Sequence, residues 1–294
     1  MNKPEQIQST QQRADADARS VQRFVAAYNA AKLDERIVVS LEQKVLWLRI
    51  NRAEQHNALA LDMLATIEAV LQLAATELAR DADPDWLRLV VLTGAGPHSF
   101  AAGGDLKELD SVRTVAATKA MSERGVAALN AVRDFPQPVV AGLNGAARGG
   151  GAELAMACDW RVAHGDAAIG FIQGRLNLSP AWGGGTDLLR KLGQGVAMRV
   201  LAEARVIAAD EAVQLGLIEL LLPVTAEEFS AGLSEYVSQL SQHPAQILRS
   251  HKSLALAQYE NRPRAHSQAV ESALLVETWT HEDHWQAATG ALKK

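Results

Sequence analysis

A single cysteine, Cys158, stands in a chain of 294 residues, so no intrachain disulfide can form, which fits a reducing compartment. It lies in the apolar stretch LAMACDW, the setting of a small buried hydrophobe rather than a reactive thiol. No apolar run approaches the ~18 residues that a membrane span requires. The first twenty residues, MNKPEQIQSTQQRADADARS, lack the apolar core of a secretory signal. Their acidic residues do not suit a mitochondrial transit peptide either, so a cytoplasmic protein is expected. Cations are not in excess: 29 Lys and Arg face 34 Asp and Glu, a net charge of −5. That balance gives no general footprint for nucleic acid or an anionic membrane. No His or Cys spacing suits a metal. Neither a G-x-G-x-x-G fingerprint nor a Walker lysine followed by Ser or Thr occurs.

What is present is an ordinary globular composition, 48% apolar and 21% charged, in a chain long enough for a sizeable core. Residues 1–20 read as a loose tail or a solvated helix, and 21–35 as helical, with Val21, Phe24, Val25 and Tyr28 as apolar positions. IVVSL and KVLWLRI read as strands. Leu46, Leu48 and Ile50 alternate with Val45, Trp47 and Arg49. Leu61, Leu64, Ile67, Leu71 and Ala74 recur at helical spacing. WLRLVVLTG is a strand, 113–133 a helix, PVVAGL a strand, and GGGAELAMACD a turn feeding a helix. Alternating strands and helices predict an α/β architecture with crossover connections. After about residue 225 only helix-like sequence remains. The expected organisation is an N-terminal tail or helix over 1–35, a core over 36–225 and a helical region over 226–294.

Two glycine-rich segments carry the chemistry: SFAAGGDLKEL at 99–109 and NGAARGGGAELAMACD at 144–159. Small residues leave main-chain N–H groups unshielded. If Gly150 and Gly151 open a helix, their N–H groups are unpaired donors backed by the helix dipole, a place that stabilises an anion. Glu153 falls on the first turn of that helix. Either it caps the helix, or it is an acid or base beside an oxyanion site.

Taken together with their neighbours, these segments resemble the enoyl-CoA hydratase/isomerase family, the crotonases. The resemblance rests on NRAEQHNAL (51–59), VVLTGAG (90–96), FAAGGDLKEL (100–109), PQPVVAGLNG (136–145), GGGAELAMACD (149–159), SPAWGGGTDLLRKLG (179–193) and ADEAVQLGLIELLLP (209–223), in fixed order. It implies a spiral of ββα turns, then a C-terminal helical region that mediates trimer formation, giving a homotrimer or a homohexamer. It implies an acyl-CoA substrate, with no metal and no tightly bound cofactor, because CoA arrives as part of the substrate. By position it makes Gly104 and Gly150 the two oxyanion donors. Ala102 would line the adenine pocket, Lys107 would approach the CoA phosphates, and Gln55 and His56 would add CoA contacts, with Asp105 in the same binding segment. Glu153 matches the first of two hydratase glutamates. The segment that carries the second is IGFIQGRLNL here, and Gln173 falls at the glutamate's place.

An amide orients a water or a carbonyl but has no proton to exchange near neutral pH. The expectation is therefore an acyl-CoA lyase or isomerase with a single catalytic glutamate. The alternatives are decarboxylation of a malonyl-type CoA, in which departing CO2 leaves the enolate without a base, and a non-catalytic CoA-thioester binder. Arg175 is either a fork for a substrate carboxylate or a surface ion-pair partner. Trp182 either shapes the acyl pocket or packs in the core. The SPAWGGG segment is similar to the ethylmalonyl-CoA decarboxylase branch of the family.

Overall fold

A computed structural model describes residues 3–260 and 262–291, and the side chains of 11–260 and 262–290. The described residues open with one continuous helix, α1 (Lys3–Ala30), so over 3–20 the chain is helical rather than a loose tail. Only part of its surface is apolar. Ser20 and Phe24 are buried, and Phe24 packs on Tyr28 and Trp86. The helix stops at Ala30, short of the expected 35. Asp34 instead turns the chain, accepting from the N–H of Arg36 while its own N–H donates to Thr66.

A hairpin follows, β1 (Ile37–Glu42) and β2 (Val45–Ile50), turned by Gln43 and Lys44, both at positive φ as a two-residue turn requires. Next come α2 (Leu61–Leu78), β3 (Leu89–Gly94), β4 (Ser99–Ala101), α3 (Val115–Arg133), β5 (Val139–Leu143), β6 (Ala146–Arg148) and α4 (Gly150–Ala157). The remainder is β7 (Trp160–Ala163), β8 (Ala168–Gly170), α5 (Gly184–Glu203), β9 (Ile207–Ala208), α6 (Ala209–Gln214), β10 (Leu220–Leu221), α7 (Phe229–Leu240), α8 (Ala245–Tyr259), α9 (Arg264–Thr280) and α10 (Glu282–Ala291).

Three successive turns repeat one pattern: a strand of a large sheet, a short strand of a small sheet, then a helix. They are β3–β4–α3, β5–β6–α4 and β7–β8–α5. The large sheet runs β1-β2-β3-β5-β7-β10, parallel except for the hairpin. The small one runs β4-β6-β8-β9. The large sheet is covered on both faces, which is why β3 and β5 read as unbroken apolar runs. Val90, Leu92, Val139 and Ala141 face one core with α2, α3 and α4. Leu89, Val91 and Val140 face a second core closed by Phe229, Leu233 and Val237 of α7 and Leu248 of α8. By contrast, α9 buries none of its residues. Cys158 is buried, and burial pushes its thiol up to about 12, so it behaves as the inert hydrophobe its setting predicts. No helix among the described residues is long and apolar enough to cross a membrane.

Candidate active site

The small sheet brings the two glycine segments side by side, because β4 leads into the first and its neighbour β6 into the second. A Cβ on Gly103 would lie 3.5 Å from the amide nitrogen of Gly150, so the segments touch through backbone. Gly103 at φ +107° and Gly149 at φ +53° adopt conformations open to glycine and strained for other residues.

Leu59 fixes how Gly104 is presented. Its N–H donates to the carbonyl of Gly103, and its carbonyl accepts from Asp105, so in this bridge the intervening N–H of Gly104 points away from Leu59. Gly150 is the first residue of α4, where an N–H has no intrahelical acceptor. Among the described residues, no protein acceptor takes the N–H of either glycine.

Glu153, one turn into α4, is 2% exposed. Its Oε2 accepts from the N–H groups of Trp182 at 2.9 Å and Gly184 at 3.0 Å. Its Oε1 accepts from Gln173 Nε2 at 2.9 Å and from the N–H of Ala181 at 3.4 Å. All four donors are neutral. Burial pushes the carboxyl above its ordinary range, and the donors at Trp182, Gly184, Ala181 and Gln173 pull it back only in part. The reading of Glu153 as a cap of its own helix therefore fails: its oxygens serve Gln173, the loop before α5 and the first amide of α5, not the amides of α4. Gln173, in a short 3-10 turn, presents its Oε1 as a buried acceptor without a partner among the described residues.

Trp182 is buried beside both glycines. A Cβ on Gly150 would lie 2.2 Å from Cζ3 of the indole, and one on Gly104 would lie 3.7 Å from Cη2. The backbone of this loop is tied from three sides. Besides Glu153, Ser122 Oγ donates to the carbonyl of Ala181 at 2.8 Å, and Arg133 Nη2 donates to that of Trp182 at 3.4 Å. Arg133 is itself a fork on Asp187 at 2.9 and 2.6 Å, a buried pair joining α3 to α5, and Tyr259 donates to the same carboxylate.

The remaining expected residues divide. Gln55 and His56 are exposed, the carbonyl of His56 accepts from the N–H of half-buried Ala102, and Lys107 is exposed two residues after Asp105. Asp105 is different. Its Oδ1 accepts from the N–H groups of Lys107 and Glu108, and its Oδ2 from Arg52 Nη1 at 2.5 Å. With both oxygens taken inside the protein, its contacts are those of a brace for the loop rather than of a ligand group. Arg175 is exposed, its Nε donating to the carbonyl of Ala204 at 2.6 Å, and among the described residues no hydrogen bond or ion pair joins it to Glu153 or Trp182. Sequence reasoning missed Arg52, Ser122, Gly125 and Arg133. Of these only Gly125 left a trace, as a glycine inside a helix, where it costs about 1 kcal/mol against alanine.

Two sheets wound together by three strand–strand–helix turns, with a helical C-terminal region, define the crotonase superfamily. Solved structures agree. An enoyl-CoA hydratase from Bacillus anthracis superposes with a TM-score of 0.78 at 27% identity, covering 88% of this chain and 96% of that one.

Residues 40–292 match the enoyl-CoA hydratase/isomerase family, and the chain belongs to it. It is similar to a crotonyl-CoA hydratase of Syntrophomonas wolfei, 36% identical over 184 residues, which cover 63% of this chain and 68% of that protein. It is also similar to the 2,3-dehydroadipyl-CoA hydratase of Escherichia coli, 30% identical over 259 residues, or 88% of this chain and 96% of that protein.

Proposed function

We propose that this protein is an acyl-CoA lyase or isomerase that holds a thioester enolate with two backbone N–H groups and moves its proton through one carboxylate. The thioester oxygen accepts from Gly104 and Gly150. Both donors are fixed before the substrate arrives, so they act on developing charge without reorganising. Glu153 is the acid/base, and the buried Oε1 of Gln173 orients a hydroxyl or a water. CoA enters as part of the substrate, along Gln55, His56, Ala102 and Lys107. No resident metal or cofactor is proposed.

The observation that carries this reading is the setting of Glu153. It is a buried carboxylate bonded only to neutral donors, on the helix that opens with the unpaired N–H of Gly150. A purely binding protein has no use for a carboxylate whose proton affinity is raised in this way. Hydration by a pair of carboxylates is disfavoured because the group facing Glu153 is an amide. Decarboxylation of a malonyl-type CoA is the second reading, and Arg133, which donates to the carbonyl of Trp182, is committed to Asp187 and not free to anchor a substrate carboxylate. Assembly into a trimer or hexamer is supported by Leu275, Val276, Trp279 and Trp285, which α9 and α10 leave exposed.

The test is a panel of enoyl-, β-hydroxyacyl- and malonyl-type CoA esters, with products followed by mass. Double-bond migration dominating over hydration and its reverse, dehydration, is the expected result. Conversion of none of the esters would end this reading, and release of CO2 from the malonyl-type ester alone would favour the decarboxylase.

A further inference from the structure

The indole of Trp182 lies between two helices and the two proposed donors. Its six-membered ring stands against the Cα faces of Gly104 and Gly150. Its five-membered ring stands against Gly125 in the middle of α3, where a Cβ would lie 2.1 Å from Cδ1 and 2.4 Å from Nε1. Real Cβ atoms do not approach so closely, so Gly125 and Gly150 are both small where the ring needs room.

The ring cannot easily swing aside. The Trp182 N–H is held by Glu153 at 2.9 Å, and its carbonyl accepts from Arg133. With the backbone held at both groups, the ring is packed between Gly125 of α3 and Gly150 of α4. Trp182 is thus a fixed wall at the oxygen-binding end of the site.

We propose that Trp182, seated in the gap left by Gly125, sets the upper size of the acyl group that this protein accepts, restricting it to short chains. The proposal rests on the acyl-CoA reading above and adds a substrate class to it. A wall of this kind acts by exclusion. Removing the indole leaves apolar space beside the thioester, and each methylene that enters it is favoured.

The experiment measures binding, which does not depend on which reaction is catalysed. Affinities for butyryl-CoA and decanoyl-CoA are determined by calorimetry for wild type, Trp182→Ala and Trp182→Phe, with circular dichroism to confirm folding. In Trp182→Ala the ratio of decanoyl to butyryl affinity is expected to rise by about tenfold or more, with Trp182→Phe intermediate. If Trp182→Ala does not fold, Trp182→Phe decides, with a rise of at least about threefold expected from partial opening.

A second arm tests the counterpart. Gly125→Ala is expected to be harmful in wild type but tolerated in Trp182→Ala, the non-additivity of two groups sharing one space. A merely structural tryptophan would lower both affinities together and leave their ratio unchanged. That result in folded variants overturns the size-limit proposal while leaving the acyl-CoA reading intact. Absence of any CoA ester binding to wild type at millimolar concentration overturns both.

Discussion

Two places in this molecule have the same ingredients, an unpaired backbone N–H followed closely by a buried carboxylate, and they treat the carboxylate in opposite ways. After β4, Gly104 is followed by Asp105, which folds back on its own loop and takes the guanidinium of Arg52. At the start of α4, Gly150 is followed by Glu153, which reaches across to Gln173 and the loop before α5 and meets no cation. Burial raises the proton affinity of both. At Asp105 the Arg52 guanidinium and two amides outweigh burial and hold the carboxyl below its ordinary range. At Glu153 burial wins. Partner charge, not burial, separates a carboxyl held ionised from one inclined to keep its proton.

The sharpest break in this comparison is Glu153→Gln. It keeps the shape and removes the exchangeable proton, so turnover should fall by about 10²–10⁴-fold, the usual weight of general acid–base help. The same residue gives a signed pH effect. A base must be ionised, and a raised pKa means that activity is lost at a higher pH than an ordinary glutamate would require. Stability runs the other way. The buried charge destabilises the fold at neutral pH, and that penalty is relieved as pH falls through the folded-state value. Rate profiles and urea unfolding against pH check both signs. An acid limb in the ordinary glutamate range would remove Glu153 from the base role.

Asp105→Asn is the matching variant and should act on stability first. It leaves Arg52 buried with a weaker set of partners, a cost of about 3 kcal/mol, at the low end for a broken buried pair because Glu108 still approaches Arg52 at 3.5 Å. The Asp105 carboxyl has a lowered pKa, so its contribution is present above the ordinary aspartate range and is lost as pH falls through the folded value. Denaturation midpoints of wild type and Asp105→Asn should therefore converge on acidification. A constant gap down to pH 3 would show that packing, not the ion pair, was lost.

How far the sequence foretold this site depended on the range of each interaction. The boundaries of α2, the strands β3 and β5, and the glycine turn into α4 follow from local periodicity and turn chemistry, and the structure keeps them. The strands β4, β6, β8 and β9 span only two or three residues, too short for any periodic signal, yet they align the two glycine segments. The reason for Gly125 inside α3, the indole of Trp182, comes from a distant loop and has no local signal. Arg133 and Asp187 lie 54 residues apart, and nothing local announces a buried pair between α3 and α5. Asp105 was placed in the binding segment by family position and Arg175 was weighed as a carboxylate fork by its charge and shape; their contacts here are with Arg52 and the loop amides, and with the carbonyl of Ala204.

The smallest predicted effect turns on Gln173, the one residue in contact with Glu153 that differs in chemistry from the paired-glutamate pattern. In Gln173→Glu the amide donor 2.9 Å from Glu153 Oε1 becomes an acceptor. Two carboxylates so close cannot both ionise readily, so they share one proton and titrate as a pair with separated apparent values. That singly protonated pair is what hydration requires, one group to take a proton from water and one to give a proton to the α-carbon. Hydration of crotonyl-CoA should therefore rise by about tenfold, well below the full weight of a general acid, because the turn carrying Gln173 is not built for a second charge. The gain should disappear at high pH, where the shared proton leaves, and Glu153→Gln in the same background should abolish it. The measurement is crotonyl-CoA hydration against pH for wild type, Gln173→Glu and the double variant. A wild type that already hydrates as fast as paired-glutamate enzymes would show that one carboxylate and an amide suffice, and that the difference between Gln173 and a glutamate is not the one that decides the reaction.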